Sequence, residues 1–162
     1  MQLTEEQKNV VRQVISNFDK ERYITVSGYA GTGKSTIIGT IIQALKNKGL
    51  TFALGAYTGK AANVLRKKGM QANTIHSTIY RPETNHLGET TWHLMSIYDI
   101  KTLCDGFIID EASMVTTELF YRLIKTLDTN VNFILVGDLN QLPPIGAGSF
   151  MKELVNSGRV PT

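Results

Sequence analysis

The sequence predicts an α/β fold: a parallel sheet with helices on both faces. Three observations predict it. Short β-rich runs alternate with amphipathic helical runs, one such strand leads straight into a glycine loop, and a second, apolar strand ends in two carboxylates. Alternation of this kind implies βαβ units, because parallel neighbours need a crossover and a helix fills it.

Taken in order, residues 3–18 read as a helix. Thr4 and Gln7 have capping-box spacing, and Val10, Val11, Val14, Ile15 and Phe18 recur at helical intervals. A strand at 23–27 precedes the glycine loop. The helix that starts near Ser35 carries Ile37, Ile38, Ile41, Ile42 and Leu45 on its apolar face, with Gly49 as terminator. A strand at 51–56 is followed by a helix at 60–68 closed by Gly69. Further on come a buried strand at 107–110, a helix at 116–127, a strand at 131–137 and a last helix from about Ser149. Residues 82–92 are polar with a turn-like centre at 85–88, which reads as a small hairpin insertion.

The length of 162 residues fits one domain, and 42% apolar with 19% charged residues is ordinary for a globular chain. The 17 basic and 14 acidic residues leave a net charge of +3, which permits a polyanionic partner without requiring one. Cys104 is the single cysteine, so an internal disulfide and a multi-cysteine zinc site are both excluded. A reducing, cytoplasmic setting is expected, and no membrane association, since no apolar run approaches the ~20 residues of a span.

The chemistry begins at residues 28–35, Gly-Tyr-Ala-Gly-Thr-Gly-Lys-Ser, the G-x-x-x-x-G-K-S spacing of a phosphate loop. Gly28, Ala30, Gly31, Thr32 and Gly33 supply a backbone nest whose N–H groups can face phosphate oxygens. Lys34 can reach the outer phosphates, and the Ser35 hydroxyl can ligate Mg2+. Asp110 and Glu111 close an apolar strand at the sheet edge where α/β proteins bind ligands. Asp110 is placed to hold the metal, and Glu111 to activate a water. Together these predict a P-loop NTPase that uses ATP and Mg2+.

With the segments AYTGKAA (56–62), NTIH (73–76), DEAS (110–113) and VGDLNQLPP (136–144), the chain resembles the first RecA-like motor domain of superfamily 1 helicases, in the RecD-like and Dda-like 5′-to-3′ branch. The ordered match runs from about residue 3 to 148. The resemblance implies that Gln7 reads adenine, that Thr36 is a further nucleotide contact, and that Gln141 senses the γ-phosphate. It further implies that Thr58, Lys60, Thr74 and His76 track along single-stranded DNA. These four are expected on one face distinct from the phosphate loop. Family members often have proline where this chain has Tyr57, which either stacks a base or packs in the core. By position the 82–92 hairpin resembles an insertion that helps split duplex DNA, with Trp92 either its stacking element or an aromatic packed on the domain.

Superfamily 1 motors work with two RecA-like domains, so a second domain of the same polypeptide is an expected partner, and a truncated chain the expectation here. One domain alone should hydrolyse ATP slowly, because an arginine supplied by the second is worth orders of magnitude in rate. Two other readings compete. A thymidine-kinase-type P-loop kinase shares the loop and a similar carboxylate pair, but usually carries zinc-binding cysteines. A nucleic-acid-binding P-loop module without turnover is the other.

Overall fold

A computed structural model describes residues 3–95, 104–127 and 130–162. Helix α1 (Glu5–Asn17) starts with the expected capping box: Gln7 N–H donates to Thr4 Oγ1 at 3.2 Å and Thr4 N–H donates to Gln7 Oε1 at 3.0 Å. Strand β1 (Tyr23–Ser27), helix α2 (Lys34–Lys46), strand β2 (Phe52–Ala56) and helix α3 (Gly59–Lys67) follow within one or two residues of the expected bounds. Thr58 caps α3 by accepting from Ala61 N–H at 3.1 Å.

Two elements were not anticipated, strand β3 (Ala72–Thr74) and the short helix α4 (Ile75–Ile79). Each is shorter than any periodic pattern can mark, and β3 buries only Ala72. The hairpin is present and longer than expected: β4 (Tyr80–Thr84) pairs antiparallel with β5 (Thr90–Leu94), Pro82 opposite Trp92. Strand β6 (Gly106–Asp110) leads through a single 3₁₀ turn (Ala112–Met114) to helix α5 (Thr117–Thr126). Strand β7 (Asn132–Gly137) and helix α6 (Phe150–Ser157) complete the order.

The main sheet is parallel throughout, in the order β1-β7-β6-β2-β3. Successive side chains in a strand point to opposite faces, and the core divides accordingly. Ile108, Ile134 and Val136 join Val11, Ile38, Ile41 and Leu65 beneath α1, α2 and α3. Phe107, Ile109, Phe133 and Leu135 join Ile75, Phe120, Leu123 and Met151 on the other side. Both faces are covered by helices. The outer edge of β1 is met by the last residues, Thr25 N–H donating to the Pro161 carbonyl at 2.9 Å. Among the described residues, no helix is long and apolar enough to cross a membrane.

Candidate functional site

The phosphate loop hangs between β1 and α2 at the carboxyl edge of the sheet. Gly28 N–H donates to the Gly137 carbonyl at 3.0 Å, which ties the start of the loop to the end of β7. Gly31 and Gly33 have φ of +80° and +85°, a region that side chains rarely tolerate. A Cβ at Gly33 would also lie 2.8 Å from Gln7 Nε2. The Thr32 hydroxyl donates to the Tyr29 carbonyl at 2.8 Å, and Lys34 Nζ donates to the carbonyls of Gly28 at 2.7 Å and Tyr29 at 2.8 Å. The lysine charge is thus already folded over the loop. Ser35 and Thr36 lie in the first turn of α2, where unpaired N–H groups and the helix dipole favour an anion.

Asp110 ends β6 and is 8% exposed, with Glu111 N–H donating to its Oδ1 at 3.0 Å. Burial pushes its pKa up, while the Glu111 N–H and the charges of Lys34 and Lys68 pull it down without cancelling that rise. A buried carboxylate so placed, together with the Ser35 hydroxyl, is a set of hard oxygen donors suited to Mg2+. Glu111 stands at φ +56° and ψ +36°, the sole described residue besides glycine in the left-handed region. Its pKa is raised, by burial first and then by the charge of Asp110. Lys34, the Thr58 hydroxyl and Lys60 act in the opposite direction.

One open cleft gathers Lys34, Ser35, Asp110, Glu111 and Gln141 with the loop residues Ala30, Gly31 and Gly33. Strand order explains the meeting: β7 lies between β1 and β6, so the loop after β7 carries Gln141 in between the phosphate loop and the carboxylates. That loop is held by Asp138, 6% exposed, whose Oδ1 accepts from Asn140 N–H at 3.0 Å and whose own N–H faces the Ser113 hydroxyl at 3.4 Å.

Gln7 lies outside this cleft. Its amide bridges Thr4 N–H and, through Nε2, the Thr32 carbonyl at 2.9 Å, beside a second hollow lined by Val10, Tyr29 and Ile37. Thr36 faces a groove between α2 and the end of α3.

The four residues expected on one DNA face are divided. Thr58 and Lys60 line the same cleft as the phosphate loop, so the expectation of a face distinct from that loop is corrected for these two. Thr74 caps α4, accepting from Ser77 N–H at 3.0 Å. His76 stacks on Tyr80 at 6.0 Å in a separate hollow with Tyr57 and Arg122, the latter donating to the Tyr80 hydroxyl. Tyr57 packs partly buried on the core, whereas Trp92 is 62% exposed. Sequence reasoning missed the charge of Lys68 acting on Asp110 and the placing of Thr58 in the same cleft as Glu111. Neither has a local signal, because both depend on β2 lying beside β6.

Residues 2–162 match the sequence model of the AAA domain. The chain belongs to that family. Similar to this AAA domain are the ATP-dependent DNA helicase Dda of phage T4, 34% identical over 149 residues, and the ATP-dependent RecD2 DNA helicase of Deinococcus radiodurans, 34% identical over 151 residues. Each alignment covers 90% of this chain, but 34% and 19% of those two proteins. The AAA domain thus spans about a third or less of the length of these relatives. Its fold is similar to Pif1 helicase from Candida albicans, with a TM-score of 0.60 and 27% identity, covering 90% of this chain and 34% of that one.

Proposed function

We propose that this AAA domain is the first motor domain of an ATP-dependent DNA helicase, coupling ATP hydrolysis to movement along single-stranded DNA. The observation that carries the reading is the convergence of Lys34, Ser35, Asp110, Glu111 and Gln141 in one cleft at the sheet edge. Lys34 and the N–H groups of the loop hold the phosphates. Ser35 and Asp110 would hold Mg2+, which when bound neutralises charge on the phosphate oxygens. Glu111 takes the proton of the attacking water at its carboxylate, and Gln141 contacts the γ-phosphate and passes its presence to the rest of the motor. Gln7 reads adenine from the far side of the loop, and Thr36 adds a nucleotide contact. Thr58, Lys60, Thr74 and His76 hold DNA phosphates, giving binding that depends on salt and little on sequence. The exposed Trp92 on the β4–β5 hairpin stacks at the duplex junction. A second RecA-like domain completes the nucleotide site, and the protein works in the cytoplasm.

Paired variants test this. Lys34→Ala should abolish nucleotide binding by calorimetry while melting as the parent does, because its side chain faces loop carbonyls and not the core. Glu111→Gln should bind nucleotide normally and lose DNA-stimulated turnover by about 10²-fold or more. Nucleotide binding that survives K34A, or turnover that survives E111Q, would overturn the assignment.

A further inference from the structure

We propose that Lys68 is a further phosphate-binding residue of the nucleotide site, reaching the γ-phosphate and so favouring ATP over ADP. The inference rests on the ATP-hydrolysing reading above and deepens it with a residue that lies outside every motif segment of the sequence.

The end of α3 is fixed against α2. Leu65 is fully buried, and its carbonyl accepts from Lys68 N–H at 3.1 Å and from Met70 N–H at 3.2 Å. Gly69, at φ +82°, turns the chain between them. Met70 then lies beside Gly39, where a Cβ would stand 3.8 Å from its Sδ. Gly39 is one helical turn past Ser35, on the same side of α2. Lys68 is therefore held next to the first turn of α2.

The surrounding hollows agree with that position. Lys68 and Ser35 both line the groove along α2, and both line the cleft that contains Asp110, Glu111 and Gln141. The hollow beside Gln7 is lined by Lys34 but not by Lys68. Lys68 thus belongs to the end of the site away from the proposed adenine position. Its charge, like that of Lys34, acts on Asp110 from there.

That charge is free to meet a ligand. Lys68 is exposed and enters no salt bridge among the described residues. A γ-phosphate entering the cleft meets Asp110 and Glu111, two groups of its own sign. Lys34 opposes them, but its Nζ also serves the carbonyls of Gly28 and Tyr29. Lys68 adds a second ammonium from α3, a compact charge with three donors on a flexible stem. ADP ends one phosphate short of this contact.

The test uses the full-length protein with Mg2+ and reads affinity by calorimetry, for ADP and for a β,γ-imido analogue of ATP that is not hydrolysed. Lys68→Met keeps an apolar stem and removes the charge. Because the side chain is exposed, this variant should melt as the parent does. Affinity for the ATP analogue should fall about tenfold, the equivalent of one hydrogen bond to a charged group, while ADP affinity stays within about twofold. Lys68→Arg, which keeps the charge, should retain the parent's preference. An equal loss for both nucleotides, or no loss for either, overturns the assignment. Lys34→Ala separates the two readings. If that variant binds the analogue as the parent does, the phosphate-loop site fails and Lys68 with it. Lost binding in K34A beside an unchanged K68M overturns Lys68 alone.

Discussion

Asp110 illustrates at the residue scale how function is set against stability. Its carboxyl is buried beyond what one N–H and two nearby cations offset, so its pKa in the folded state is raised. For an acid shifted upward, the folded state holds the proton more tightly than the unfolded chain. Stability is then lost as pH rises through the folded value. Asp110→Asn keeps the Oδ1 acceptor for Glu111 N–H and removes the charge. The ligand-free variant should melt above the parent at neutral pH, by about 2–4 °C for each kcal/mol relieved, and level with it at acidic pH. It should also lose magnesium-dependent nucleotide affinity. Equal melting temperatures at pH 7 would show that burial does not penalise this charge. The position of Asp110 was legible in the sequence, since an apolar strand ending in carboxylates is a local pattern. The left-handed backbone of Glu111 was not, because nothing about a glutamate announces it.

Elements with a full periodic pattern were legible to within a residue or two, as α1, α2 and α5 show. Those whose stability comes from a distant partner were not. Asp105 is such a partner: its Oδ2 accepts from Thr51 N–H at 2.7 Å and from the Thr51 hydroxyl at 2.8 Å, joining the lead-ins of β2 and β6 across 54 residues. These bonds lower the Asp105 pKa, so the stability they give is present above the unfolded value and is lost as pH falls through the folded one. Asp105→Ala should cost about 1 kcal/mol at neutral pH, toward the low end for hydrogen bonds because water screens the site. Denaturant titrations at neutral and acidic pH would show the gap between variant and parent closing in acid. A gap independent of pH would mean that the carboxylate charge plays no part in the clamp.

At the scale of the whole molecule, backbone packs closely on backbone where β7 meets the 3₁₀ turn and α6. A Cβ on Gly137 would stand 2.9 Å from the Ser113 backbone nitrogen and 2.8 Å from Met151 Sδ. The methionine can swing away, but the backbone cannot. Gly137→Ala should therefore lose about 1–3 kcal/mol, the usual cost of overpacking. Nucleotide affinity should weaken too, because the turn after Glu111 and the Gln141 loop are set against each other there. An unchanged denaturation midpoint would show that the sheet and turn yield freely. By itself the sequence determined the α/β class, the order of most elements, the phosphate loop and the carboxylate pair, since periodicity and loop chemistry act over a few neighbouring residues. Tertiary structure alone decided which distant residues face those carboxylates. The order β1-β7-β6-β2-β3 sets Gln141 between the loop and the acids, and puts Thr58 and Lys60 in the same cleft as Glu111 while His76 lines a separate hollow. Hydrogen bonding between strands fixes that order, and it pairs segments by shape and burial without regard to their separation along the chain.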